Sequence, residues 1–233
     1  MIDVQDINIQ IIARMHSDFP SKFGIPRQSG LVKELRSFIV FEPEFRNQDA
    51  LRGIEDYSHL WLIWQFSEAV RTGWSPTVRP PRLGGNTKLG VFATRSPFRP
   101  NNLGLSCVEL LGVEHTGSFG TVLHVAGADL MDGTPIFDIK PYIPYSDCIT
   151  DATGGFTDHA ADFILDVDFP TELLTLLPSN KQAAAIAVLS HDPRPSYQRN
   201  PDRIYGLTFS GFDIRFRVND KTLHVLEVNA ISG

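Results

Sequence analysis

Ser58-His59-Leu60-Trp61-Leu62-Ile63-Trp64-Gln65-Phe66 is dense in leucine, isoleucine and tryptophan and has the length of a single strand. Similar runs flank it. Upstream, Ile7, Ile9 and Ile11 alternate with polar residues, and Phe38 to Phe41 is aromatic and β-branched. Downstream, Leu89–Thr94, Leu105–Val113, Thr121–Ala126 and Pro135–Lys140 read as further strands. Clusters of Gly, Pro, Asn and Asp separate them, such as Arg-Pro-Pro-Arg-Leu-Gly-Gly-Asn at 79–86 and Asp-Gly-Thr-Pro at 132–135. Many short strands joined by loops predict a mainly β fold, a barrel or a sandwich. A helix is expected near Gln48–Ile54, capped by Asn47.

The pattern changes after Tyr145. Residues 146–161 are polar around Thr153-Gly154-Gly155 and read as a linker. A strand at Phe163–Val167, a helical turn at Thr171–Leu177 and an alanine-rich helix over Lys181–Leu189, stopped by Pro193, follow. Strand signals resume at Ile204–Ser210. A hairpin closes the chain, with Ile214, Phe216 and Val218 before Asn219-Asp220 and Leu223 and Val225 after it. The 233 residues are therefore expected to divide into residues 1–147, β-rich, and residues 148–233, a small α+β domain.

With 42% hydrophobic and 10% aromatic residues the chain can offset its ordering entropy, which excludes wholesale disorder. The net charge of −6 is unlike that of a uniformly basic nucleic-acid binder. Its distribution is uneven, however. Residues 69–108 hold six of the 21 basic residues (Arg71, Arg79, Arg82, Lys88, Arg95, Arg99) and none of the 27 acidic ones. Cys107 and Cys148 lack metal-ligand or disulfide spacing, so buried thiols and no metal site are expected. No apolar run approaches a membrane span and the first residues carry no secretory pattern, so a soluble, cytoplasmic protein is expected.

Common nucleotide and hydrolase signatures are absent, and Leu83-Gly84-Gly85-Asn86 lacks the glycine spacing of a dinucleotide loop. The most informative stretch is Gly90-Val91-Phe92-Ala93-Thr94-Arg95-Ser96-Pro97-Phe98-Arg99-Pro100-Asn101. Two arginines, two stiffening prolines and several hydroxyl and amide groups suit a loop that holds an anion or a nucleotide. They suit equally a structural loop whose arginines pair with the acidic remainder.

That run closely resembles the TsaA/TrmO-like family. So do Ile25-Pro26-Arg27-Gln28, Ser58-His59-Leu60-Trp61, Pro80 to Asn86, Asp129-Leu130-Met131-Asp132-Gly133-Thr134-Pro135 and Asp138-Ile139-Lys140-Pro141-Tyr142, in order over residues 6–145. Asp192-Pro193-Arg194-Pro195, Tyr197 and the closing hairpin look like the C-terminal domain of its bacterial members. The resemblance implies an S-adenosylmethionine-dependent tRNA methyltransferase acting on N6 of N6-threonylcarbamoyladenosine at position 37, in the anticodon loop. It also implies a homodimer and a β-barrel catalytic domain in place of a Rossmann sheet. Cofactor contacts fall, by this resemblance, on Pro26, Arg27, Gln28, Arg95, Leu105, Asp132, Gly133, Thr134 and Pro135, with Ser67 at the end of its strand as a further candidate.

No residue declares itself catalytic. Asp138 is the candidate acceptor for the N6 hydrogen, with Lys140-Pro141-Tyr142 beside it; local capping or pairing explains Asp138 as well. His59, opening an apolar strand, reads as structural. Arg79, Arg82, Lys88 and Arg99 are expected at tRNA phosphates, and Arg194 and Tyr197 at a second contact or at the domain interface. The alternative function is a non-catalytic RNA- or nucleotide-binding module.

Overall fold

In a computed structural model, alternating buried and more exposed side chains run along Ala13–His16, His59–Gln65 and the start of Leu103–Thr116 in the first half of the chain. The structure describes residues 8–70, 73–80, 83, 86–158, 164–195 and 200–231. Six strands form one sheet: β1 (Ala13–His16), β2 (Arg36–Phe41), β3 (His59–Gln65), β6 (Leu103–Thr116), β7 (Gly120–Ala126) and β8 (Pro135–Pro141). Every pairing among them is antiparallel, and the order β1-β2-β7-β6-β3-β8 returns to β1, closing the sheet into a barrel. In β3, Leu60, Leu62 and Trp64 point inward while Trp61, Ile63 and Gln65 are only partly covered. Met15, Ile39, Leu123 and Ile136 complete the interior with them. A small hairpin, β4 (Thr77–Val78) and β5 (Leu89–Gly90), stands outside this ring.

The second half forms a four-stranded sheet in the order β10-β11-β12-β9. Its strands are β9 (Asp166–Asp168), β10 (Tyr205–Phe209), β11 (Phe212–Asn219) and β12 (Thr222–Ala230). A short helix α1 (Pro144–Asp147) precedes it, and α2 (Thr171–Leu174) and α3 (Ser179–Ser190) connect β9 to β10. That helical connection lets β9 lie parallel to β12. Ala184, Ala185, Val188 and Leu189 of α3 pack against Leu207, Ile214 and Leu223 of the sheet. Ser210 and Gly211, with φ of 51° and 81°, make the tight turn of the β10–β11 hairpin.

The two halves share more than a connection. Phe19, Val32 and Leu35, from the β1–β2 connection, lie in the core of the second sheet. Phe19 meets Phe209 edge-on with centroids 5.4 Å apart. Gly24, at φ 87°, runs so close to the sheet that a Cβ there would sit 2.1 Å from Leu207. Lys181 of α3 donates to Asp18 at 2.7 Å, with only 20% and 10% of the two side chains exposed.

Several elements differ from their sequence reading. Ile7 lies outside the described residues, and among those described the first strand begins at Ala13 rather than at Ile9 or Ile11, because Ala13 and Met15 supply the buried side chains while Ile9 is exposed. Leu89–Thr94 is a two-residue strand followed by a 3-10 turn over Val91–Ala93. The expected helix at Gln48–Ile54 is a 3-10 turn, Gln48–Leu51, with the Asn47 side chain accepting from the Asp49 N–H at 3.0 Å. Gly53, at φ 85°, ends it before a second turn, Ile54–Asp56. Neither cysteine is a buried thiol: Cys107 is half-buried and Cys148 exposed. Among the described residues no helix is long and apolar enough to cross a membrane, and no group of three or more His, Cys, Asp and Glu side chains is placed to hold a metal.

Candidate cofactor site and nucleic-acid interface

The Val91–Asn102 loop is set by its own polar side chains. Val91 is buried and its N–H donates to the Pro76 carbonyl at 2.9 Å, fixing the start of the loop. The Thr94 hydroxyl donates back to the Val91 carbonyl at 2.8 Å and accepts the Ser96 N–H at 3.3 Å. Arg99 donates to the Thr94 carbonyl at 2.9 Å, and the Asn102 amide to that of Pro97 at 2.8 Å. Such side chain to backbone bonds hold a loop that has no ladder of its own. Arg95 is thereby directed at the Gln28 side-chain oxygen, to which its guanidinium donates.

The partner segment is equally anchored. Gly30 donates to the Gly127 carbonyl at 2.8 Å, and the Ser29 hydroxyl accepts the Cys107 N–H of β6 at 3.1 Å. Beneath this pair lies a relay that runs into the barrel. The Trp64 indole N–H donates to the Ser106 hydroxyl at 2.9 Å, and Ser106 donates to the Asp129 carboxylate at 2.6 Å. Burial pushes the Asp129 carboxyl above the usual carboxylate range; the Ser106 hydrogen bond and the Arg95 charge oppose that shift without cancelling it. Gln28, Arg95, Ser106 and Asp129 thus form one polar cluster where the start of β6 meets the exit of β7. Leu105, 55% exposed, lies on the outer face of β6, opposite to the inward Ser106 and paired with Ile63 of β3.

Of the residues expected at a cofactor, Gln28 and Arg95 touch. Pro26 is buried, and Arg27 is exposed with its carbonyl accepting from Gln28 at 2.5 Å. Ser67 opens the turn after β3; Asn102 ties this turn to the Arg95 loop, accepting from the Phe66 N–H at 2.9 Å and donating to the Ala69 carbonyl at 3.4 Å. The Asp132-Gly133-Thr134-Pro135 turn bonds instead to β1 and the residues just after it. Asp132 accepts from the Ser17 N–H at 3.1 Å, and Gly133, at φ 75°, donates to the Met15 carbonyl at 2.8 Å. Thr134 and Pro135 are buried. Asp129, Ser106 and Trp64 escaped the sequence reading, although Asp129 opens a quoted motif and Ser106 is a polar residue at an inward position of an apolar strand.

Other expectations meet local partners. Asp138 pairs with Lys140 at 2.8 Å on the outer face of β8 and accepts the Ile139 N–H, so the structure does not bring it to the Arg95 cluster. Arg194 spends its fork on Asp192, at 2.8 and 3.0 Å, and is mostly buried; it braces its own loop, and that fork is no longer available for a phosphate. His59 bonds the Ser58 hydroxyl at 3.0 Å. Arg79 and Lys88 are exposed on the β4–β5 hairpin, while Arg99 is half-covered by its bond to the loop. Arg71, Arg82 and Tyr197 lie outside the described residues.

A closed antiparallel barrel followed by a small α+β sheet has known counterparts. The chain matches the tRNA-methyltransferase O N-terminal domain over residues 14–148 and the TrmO C-terminal domain over residues 164–231. It belongs to the tRNA-methyltransferase O family. It is 41% identical to the tRNA (adenine(37)-N6)-methyltransferase of Escherichia coli (strain K12) over 223 residues, covering 92% of this chain and 94% of that one. A relative in Pseudomonas aeruginosa, 39% identical over 90% of this chain and 91% of its own length, is named as an S-adenosylmethionine-dependent methyltransferase. The crystal structure of TrmO from Pseudomonas aeruginosa superposes with a TM-score of 0.77 at 32% identity, covering 97% of this chain and all of that one.

Proposed function

We propose that the chain is an S-adenosylmethionine-dependent tRNA methyltransferase that methylates N6 of the adenine at position 37, with N6-threonylcarbamoyladenosine in the anticodon loop as substrate. Family membership along both halves of the chain carries this reading. The Arg95 cluster fits the cofactor's chemistry. Its guanidinium offers a forked donor to a carboxylate, the Gln28 amide a donor and acceptor for a polar edge, and Asp129 an anionic partner for a cationic end, while Leu105, exposed on the outer face of β6, is a separate proposed apolar contact. Bound S-adenosylmethionine supplies a methyl group on a sulfonium, ready for in-line displacement by a nitrogen. The chain's own work is positioning: Ser106 and Trp64 hold the Asp129 carboxylate, and the Thr94 and Asn102 bonds hold the loop that aims Arg95. Asp132 to Pro135, Pro26, Arg27 and Ser67 remain proposed cofactor contacts, and Arg79, Lys88 and Arg99 proposed phosphate contacts.

The same reading takes residues 1–147 as the catalytic domain and 148–233 as an accessory one, clamped together by the β1–β2 connection. It takes the working form as a homodimer in the cytoplasm, where tRNA is modified, without a metal. Mass spectrometry of tRNA from a strain lacking the gene tests the substrate. Loss of the N6-methyl group from N6-threonylcarbamoyladenosine is expected; its persistence at wild-type level overturns the reading.

A further inference from the structure

Residues 69–108 carry no acidic side chain, and the two most exposed aromatic rings of this segment are Trp74, 54% exposed, and Phe92, 71% exposed. Their centroids are 6.1 Å apart and their planes 34° from parallel. Both rings flank the β4–β5 hairpin. Trp74 precedes a turn in which the Ser75 hydroxyl donates to the Thr77 carbonyl at 2.9 Å, leading into β4. Phe92 follows buried Val91 in the 3-10 turn that carries Arg95 three residues later. The Val78–Leu89 pair joins β4 to β5, so Arg79 and Lys88 leave the hairpin side by side, both exposed.

Paired aromatic faces in a segment that carries cations and no acidic residue match the chemistry of an unpaired nucleotide: a flat base and an anionic backbone. We propose that Trp74 and Phe92 form a stacking platform for an unpaired base of the RNA substrate, with Arg79 and Lys88 on the adjoining phosphates. The proposal rests on the tRNA reading above and adds the place where the loop is gripped. Phosphate contacts act through counterion release, whereas stacking is insensitive to salt, so the two contributions separate experimentally.

The test measures binding of a fluorescently labelled anticodon stem-loop to the full chain at several salt concentrations, with cofactor affinity and sedimentation recorded alongside. W74A and F92A should each weaken RNA binding by about 5- to 100-fold with an unchanged salt slope. W74F and F92Y, which keep a stacking face, should bind nearly as wild type, and all four should keep wild-type cofactor affinity. R79A and K88A should instead each lower the salt slope by about one. RNA affinity within twofold of wild type for both alanine variants overturns the platform, as does loss of self-association with RNA affinity intact, which would assign the face to a second copy of the chain. Failure of the tRNA reading itself looks different, because the wild-type chain would then not prefer the stem-loop to an unrelated hairpin.

Discussion

Asp129 shows how a single side chain acquires a role its neighbours in sequence do not reveal. It opens the Asp129–Pro135 loop motif, yet its partner Ser106 lies 23 positions away on β6 and its counter-charge, Arg95, on another loop. Burial raises its carboxyl, so the folded chain binds that proton more tightly than the unfolded chain does. The contribution to stability is therefore most favourable below the ordinary carboxylate range and is lost as pH rises through the raised one. Asp129→Asn keeps an oxygen for Ser106 and removes the charge. Thermal melts should show this variant more stable than wild type at pH 7, with the gain vanishing below about pH 4. A gain that does not change with pH, or a loss at neutral pH, would contradict the assignment. The same variant should lose methyl transfer, as expected where a site is held at a cost in stability.

At the scale of elements, short runs dense in apolar, β-branched and aromatic residues made β2, β3, β6, β7 and β8 legible, and period-two alternation the β11–β12 hairpin. Alternation failed at Ile9 and Ile11, which precede the first strand with Ile9 exposed, and the strand reading failed at Leu89–Thr94, where buried Val91 anchors a turn. The Arg95–Gln28 contact was legible only through resemblance, since two loops 67 residues apart leave no periodic trace of their meeting. Gly104 is likewise explained only in three dimensions: a Cβ there would sit 2.3 Å from the Trp64 indole carbon Cε2. Gly104→Ala must push Trp64 off Ser106 and disturb the support of Asp129. A loss of about 1–3 kcal/mol in chemical denaturation is expected, together with weaker cofactor binding. Wild-type stability would show that the indole moves freely and that the relay to Asp129 carries no strain.

Across the whole molecule, the net charge of −6 conceals a basic segment bearing the Arg95 loop, the exposed aromatics and the β4–β5 hairpin on an otherwise acidic body. A division into halves was suggested by the polar stretch after Tyr145. The traffic across it was not, because Phe19, Val32 and Leu35 look like ordinary apolar residues until they are seen in the second core. The Asp18–Lys181 pair fastens that crossing. Since both side chains are mostly buried, breaking the pair with Asp18→Asn or Lys181→Met should cost about 3–5 kcal/mol, and replacing both with leucine and methionine should restore much of it. Denaturant melts of the two single variants and the double variant decide this; additive losses would mean that the charges do not act as a pair.

The central claim, that the Arg95 cluster delivers a methyl group to position 37 of tRNA, is tested most directly with purified protein, methyl-labelled S-adenosylmethionine and tRNA carrying or lacking the threonylcarbamoyl group. Wild-type protein should label N6 of residue 37 only in the threonylcarbamoylated tRNA, and Arg95→Ala should lower cofactor affinity by about 10- to 150-fold without unfolding the chain. Equal labelling of both tRNAs, label elsewhere, or full activity and cofactor affinity in Arg95→Ala would contradict it.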